Sequence, residues 1–85
     1  VSLLPAYPNP FNPITTIRYQ IPEQTIVSII VVNMLGQEVA SLVNSLQQPG
    51  DYSISWDASD YASGIYFIQL TTETQTSLQK LMLIK

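Results

Sequence analysis

Hydrophobic and polar residues alternate over several stretches of the chain, with the period of two that is typical of half-buried β-strands. Between Ile17 and Ile21 every second residue is isoleucine or tyrosine, and Tyr52, Ile54 and Trp56 alternate with serines. We expect these apolar side chains to enter the core, with Trp56 as its main anchor. No window shows the amphipathic pattern of a helix of about ten residues.

Further stretches rich in β-branched and aromatic residues predict strands over residues 25–33, 38–46, 65–72 and 77–84. Asn33 and Gly36 occupy the first and fourth positions of a type I turn, which predicts a hairpin. Pro49 and Gly50 suit the centre of a type II turn and predict another reversal. The turn over residues 73–76 contains neither Gly nor Pro and gives the weakest signal.

Strands that recur every 8–12 residues or so, with polar turns between them, are typical of an antiparallel sandwich. We therefore predict an all-β fold, an Ig-like antiparallel β-sandwich of six or seven strands. Four prolines (Pro5, Pro8, Pro10 and Pro13) prevent a helix at the start of the chain. We expect two parts, namely an extended proline-rich N-terminal segment over residues 1–13 and a single β-sandwich domain over residues 14–85.

Composition narrows the chemistry available to the 85 residues, which include no Cys and no His. This excludes disulfides, Cys/His zinc sites, thiol catalysis and imidazole bases, so we predict no catalytic residue, metal site or cofactor, and no enzyme activity. The only basic residues are Arg18, Lys80 and Lys85 and the net charge is −3, which excludes nucleic-acid binding. Charged residues make up 11% of the chain, and such a sparsely charged surface indicates an extracellular protein.

No apolar run reaches the roughly 18 residues of a membrane span, so we predict no transmembrane segment. The chain has no initiating Met. We expect it to be the processed or excised end of a longer exported protein, although an end introduced by cloning would look the same.

Three separated motifs and the end of the chain coincide with those of one family. The motif residues are Tyr7, Pro8, Asn9, Pro10, Phe11, Asn12, Pro13, Gly36, Trp56, Gly64 and Tyr66. In order and spacing they resemble the type A C-terminal sorting domain of the type IX (Por) secretion system, from Tyr7 to Lys85. A more distant similarity links the chain to the Ig-like domain of flagellar hook-capping proteins.

The resemblance implies a non-catalytic sorting module of an exported bacterial surface protein, carried through the periplasm to the cell surface or beyond it. The type IX outer-membrane machinery would recognise the module, which is often cleaved off afterwards. In this family the last strand and the terminal basic residues carry much of the recognition, which corresponds here to Lys80, Leu81, Met82, Leu83, Ile84 and Lys85. Without the resemblance, the two lysines would simply solvate the edge of the last strand.

One stretch departs from the family pattern because it is apolar on both faces. Val27, Ile29 and Val31 share one face, and the other carries Ile26, Ile30 and Val32. A two-layer sandwich can bury only one of these faces. The second face is either covered by the N-terminal segment or a loop, used as a subunit interface, or exposed. An interface would make the domain a self-associating subunit of an extracellular filament or surface assembly, a homo-oligomer joined through strand edges.

Two other candidate sites come from the residue types alone. Asp51, Asp57 and Asp60 could supply oxygens to Ca²⁺, but turn and capping hydrogen bonds explain them better. Aromatic residues near Trp56 could stack on sugars, but strand parity places Trp56 and Tyr52 in the core.

Overall fold

The computed structural model describes residues 1–84. Seven strands form two antiparallel sheets, which confirms the predicted all-β sandwich. The strands are β1 (Ser2–Leu3), β2 (Ile14–Ile21), β3 (Thr25–Asn33), β4 (Glu38–Gln47), β5 (Gly50–Asp57), β6 (Gly64–Thr71) and β7 (Thr76–Leu83). No helix that could cross a membrane is present in this part of the chain.

The smaller sheet has the strand order β1-β2-β5, and the larger has the order β4-β3-β6-β7. Alternate residues of each sheet face inward, as the period of two predicts. On β2, Ile17, Tyr19 and Ile21 are buried, and on β3, Val27 and Ile29 are buried. The buried apolar residues of β6 and β7 complete the core between the sheets.

The strand boundaries follow the sequence pattern closely. β3 has the predicted bounds, and β4, β6 and β7 differ from them by one residue at most. The sequence pattern does not predict β1, because a strand of two residues is too short to show a periodicity. The proposed division of the chain after residue 13 stays a prediction.

The predicted hairpin between β3 and β4 is present. Gly36 has φ +81°, and its N–H donates to the Asn33 carbonyl at 3.0 Å. The Asn33 side chain adds support, because its Oδ1 accepts the N–H groups of Leu35 and Gln37 at 2.9 and 3.0 Å. Turn residues therefore act here as their positions indicate.

The expected type II reversal around Pro49 and Gly50 needs correction. Gln48 and Pro49 connect β4 of the larger sheet to β5 of the smaller one, so the chain changes sheet instead of forming a hairpin. Gly50 has φ +154°, far from the value of about +80° that a type II turn requires. Local residue types indicated the bend but not the sheet that each arm joins.

The turn between β6 and β7 depends on a threonine side chain. The buried Thr72 donates its N–H to the Gln75 carbonyl at 2.8 Å, and its Oγ1 accepts the Gln75 N–H at 3.2 Å. This side chain closes a turn that contains neither Gly nor Pro.

Candidate recognition surface

The last strand, β7, divides its residues between the core and the surface. Leu81 and Leu83 are 0% and 1% exposed. Lys80 and Met82 alternate with them and are exposed, and Ile84 follows on the same side with 50% exposure. The six predicted recognition residues thus include two core residues and three surface residues, while Lys85 lies outside the described residues.

The edge of β7 that does not pair with β6 is occupied by the N-terminal segment. Asn9 donates from Nδ2 to the Lys80 carbonyl and accepts the Met82 N–H on Oδ1, both at 3.0 Å. Phe11 donates its N–H to the Met82 carbonyl at 3.0 Å and accepts the Ile84 N–H at 2.9 Å. The edge opposite β6 therefore has partners along its last part.

The same segment also binds β2, so it joins the two sheets along one side of the sandwich. Tyr7 and Thr16 exchange backbone hydrogen bonds of 3.1 and 2.9 Å. Gln79 accepts the Ala6 N–H on Oε1 at 2.6 Å and donates from Nε2 to the Leu4 carbonyl at 2.8 Å. We call this the closed side of the sandwich. Nothing in the local sequence around Gln79 indicated this role.

Aromatic residues from distant parts of the chain meet at the end of the core. The Trp56 ring lies 5.7 Å from Phe11 and 5.5 Å from both Tyr61 and Tyr66, between ring centroids. Trp56 and Tyr66 are buried, and the Tyr66 hydroxyl donates to the Ala62 carbonyl at 2.6 Å. Phe11, Trp56 and Tyr66 therefore build the core and do not form an exposed platform for sugars, and of the motif aromatics Tyr7 alone is exposed.

The outer face of the larger sheet contains both of the surfaces that the sequence singled out. Strand pairing aligns Val32 with Phe67 and Phe67 with Lys80, so one row crosses β3, β6 and β7. The next row aligns Ile30 with Gln69, and Gln69 with Leu78. Leu78 is 66% exposed, and sequence reasoning missed it although it shares the parity of Lys80 and Met82.

The outward face of β3 is not covered by the N-terminal segment, whose hydrogen bonds go to β2 and β7. Ile26 is 52% exposed, and Leu46, which pairs with it on β4, is 56% exposed. Ile30 and Val32 are half-buried among neighbouring side chains of the sheet. Of the alternatives left open by the sequence, cover by the N-terminal segment is therefore ruled out.

The Asp57 carboxylate forms hydrogen bonds within the turn that follows β5. Asp57 Oδ1 accepts the N–H and the hydroxyl of Ser59 at 3.0 and 2.5 Å, and these hydrogen bonds lower the pKa of the Asp57 carboxyl. Among residues 1–84, no group of three or more Asp, Glu, His or Cys side chains could hold a metal ion. Every buried side-chain nitrogen and oxygen in that range has a hydrogen-bond partner.

Residues 5–85 match the family described as the secretion system C-terminal sorting domain. The chain belongs to this family. No significant match to a curated protein or to a solved structure was found.

A type IX sorting domain marks the protein that carries it for export to the cell surface or the extracellular space, and the family acts as a signal without catalysing a reaction. The family motifs have a structural meaning in this sorting domain. Residues 7–13 place Asn9 and Phe11 against β7, and Phe11 then contacts Trp56. The motifs at the start, middle and end of the chain therefore hold one another in place.

Proposed function

We propose that the secretion machinery reads this sorting domain through side chains on β7 and not through its main chain. The observation that carries the proposal is that β7 pairs with β6 along one edge and, over residues 80–84, with the N-terminal segment along the other. A partner strand could join β7 only after displacing Asn9 and Phe11. The side chains of Leu78, Lys80, Met82 and Ile84 need no such displacement, because they are exposed already.

The position of Lys80 supports a specific role for its charge. It is one of three basic residues in a chain of net charge −3. Its cross-strand neighbour Phe67 is apolar, and so are Leu78 and Met82, which flank it on the same face of β7. A single positive charge on an apolar surface can fix the orientation of a partner that offers a carboxylate.

Deleting residues 80–85 would not test this proposal. The deletion removes the buried Leu81 and Leu83 and the main-chain partners of Asn9 and Phe11. Loss of export would then follow from unfolding alone. Substitutions of exposed residues separate recognition from folding.

The test fuses the domain to a reporter in a bacterium with a type IX system and compares Lys80→Glu with Arg18→Glu. Both residues are exposed on strands, on different sheets, and both substitutions change the charge by the same amount. We expect Lys80→Glu to retain the reporter in the periplasm and Arg18→Glu to export it, with equal thermal stability of the two purified domains. Export of both would contradict the proposal. Lys85→Glu tests the predicted role of the terminal lysine in the same assay.

A second candidate function is self-association through the outer face of the larger sheet, centred on Ile26, Ile30 and Val32. The exposure of Ile26 and Leu46 favours it, because contiguous exposed apolar residues are typical of interaction surfaces. Light scattering over a range of concentrations would show a mass above 9.5 kDa. Ile30→Lys should restore the monomer mass, whereas Gln20→Lys, at an exposed position of the smaller sheet, should not.

We also propose that this chain has no catalytic activity of its own. The absence of Cys and His from the sequence supports this, as does the pairing of every buried polar side-chain atom among residues 1–84.

A further inference from the structure

The side of the sandwich opposite the N-terminal segment is incompletely closed. β4 and β5 form this second side, each at the edge of its sheet. Leu42 and Val43 on β4 and Tyr52 and Ile54 on β5 are only half-buried, and of the inward residues of β5 Trp56 alone is fully buried. On the closed side, the inward apolar residues of β2 and β7 (Ile17, Tyr19, Ile21, Leu81 and Leu83) are at most 2% exposed, and the half-buried Gln79 binds the N-terminal segment. A segment lying along β5 would complete the burial of this second side.

The two edges differ in their ability to accept another strand. Pairing of β3 with β4 shifts register twice, and the Tyr61 hydroxyl donates to the Val39 carbonyl at 2.8 Å. Bulges and occupied carbonyls protect an edge against strand addition. β5 pairs with β2 over all eight residues without a shift, and within residues 1–84 no strand pairs with its other edge.

The charges on β5 indicate the partner. Asp51 and Asp57 are exposed on the outer face of β5, with Ser53 and Ser55 between them. The hydrogen bonds from Ser59 lower the Asp57 pKa, so this carboxylate remains charged at neutral pH. Opposite charges on directly paired residues stabilise a sheet, so lysine or arginine fits across from each aspartate.

The same charges disfavour a second copy of this chain as the partner. If two β5 strands paired antiparallel in the register that places Ile54 across from Ile54, Asp51 of each would lie across from Asp57 of the other. Two pairs of like charges on one sheet face would repel. A basic strand from a different chain meets no such repulsion.

We propose that the free edge of β5 is a strand-addition site for an extended basic segment of a partner protein. The segment carries lysine or arginine opposite Asp51 and Asp57, small polar residues opposite the two serines, and apolar residues that cover Tyr52 and Ile54. Main-chain hydrogen bonds would provide affinity and the alternate side chains specificity. This site lies on the other side of the sandwich from β7 and does not depend on the recognition proposed there.

A blocked peptide, Lys-Val-Thr-Val-Thr-Val-Lys, is a direct probe of the site. Trp56 is the only tryptophan and lies on β5, so its fluorescence can follow binding. Changes in the amide chemical shifts of the domain, measured by NMR, show where the peptide binds. We expect saturable binding with shifts concentrated in residues 50–57, and no binding of the peptide with glutamate in place of both lysines.

Two N-methylated peptides separate strand addition from attraction between charges. One is methylated at residues 2, 4 and 6, and the other at residues 3 and 5. A paired strand directs alternate N–H groups towards its neighbour, so one methylated peptide should bind and the other should not. Equal binding of both would overturn the proposal, as would shifts located away from β5 or an absence of binding at millimolar peptide.

The variant Asp51→Asn/Asp57→Asn tests the charges. Both asparagines retain a carbonyl oxygen, so the turn acceptor at residue 57 is kept. We expect several-fold weaker binding and a smaller dependence on salt, because exposed ion pairs are weak and screened. Unchanged affinity and salt dependence would overturn the assignment of a basic partner.

Discussion

Asn9 binds the edge of β7 through its side-chain amide, donating to the carbonyl of Lys80 and accepting the N–H of Met82, both at 3.0 Å. The amide thus takes the place that a peptide group of a neighbouring strand would take. Pro8 and Pro10 flank it, and neither has an N–H to offer β7. A side chain of this length and with both a donor and an acceptor lets the proline-rich segment pair with a strand edge.

We expect Asn9→Ala to lower the free energy of unfolding by about 1–2 kcal/mol, because two hydrogen bonds are lost. Asn12→Ala is the matched control. Asn12 belongs to the same motif, but its side chain is exposed and makes no hydrogen bond within residues 1–84. Urea denaturation of both variants checks this expectation. Equal stability of the two would mean that the Asn9 amide contributes nothing to the docking of the segment.

Leu81 and Leu78 lie on the same strand but in opposite environments, with exposures of 0% and 66%. Leu81→Ala should destabilise the domain by about 2–5 kcal/mol, since it removes buried methyl groups and leaves a cavity. Leu78→Ala should change stability by less than about 0.5 kcal/mol. Thermal unfolding followed by circular dichroism measures both. Similar losses would show that β7 does not have the inward and outward faces described above.

Gly36→Ala should lower the free energy of unfolding by about 1 kcal/mol. Gly36 has φ +81°, a conformation that alanine adopts with strain, and a Cβ at this position would meet no atom within 4 Å. The whole effect is therefore conformational. Gly36→Asn should lose less stability than Gly36→Ala, because asparagine adopts positive φ values more readily than alanine does. Urea denaturation of the two variants gives their order, and a greater loss for asparagine would contradict this account.

The alkaline limit of stability should depend on Tyr19. Burial raises the pKa of its phenol, so the folded domain holds this proton more tightly than the unfolded chain does. The resulting stabilisation is complete below about pH 10 and is lost as the pH rises through the raised pKa. Tyr19→Phe should therefore remove the part of the stability loss at alkaline pH that comes from ionisation of Tyr19.

At neutral pH, Tyr19→Phe should cost about 1 kcal/mol, because the hydroxyl donates to Gln47 Oε1 at 2.7 Å. Unfolding free energies measured between pH 7 and 11 test both expectations. An alkaline loss of the same size in the variant would assign it to another group.

The sequence predicted the strands well because their signal is local. A run such as Thr25–Asn33 carries its β-branched residues and its closing turn within a few positions. The outward direction of Ile26 and the inward direction of Ile29 also follow from parity, once one face is buried.

The parts that could not be predicted depend on residues far apart in the chain. Gln79 binds the backbone of Leu4 and Ala6, more than seventy positions away. Its amide carries no signal of this in the local sequence. The change of sheet at Pro49 likewise depends on the pairing of β5 with β2, a strand about thirty positions earlier in the chain. Six residues were predicted to share one recognition role, but the burial of Leu81 and Leu83 divides them between core and surface.

The contact between the N-terminal segment and β7 makes the folding of one end of the domain depend on the other end. The hydrogen bonds that dock Asn9 and Phe11 on β7 all go to residues 80–84, at the far end of the domain. During synthesis or passage through a membrane, a chain that has not yet delivered these residues has an open core and an unpaired strand edge. A truncated chain would stay in that state and present no finished sorting domain. The first and last segments of the domain are therefore interdependent, since neither can take its place in the sandwich without the other.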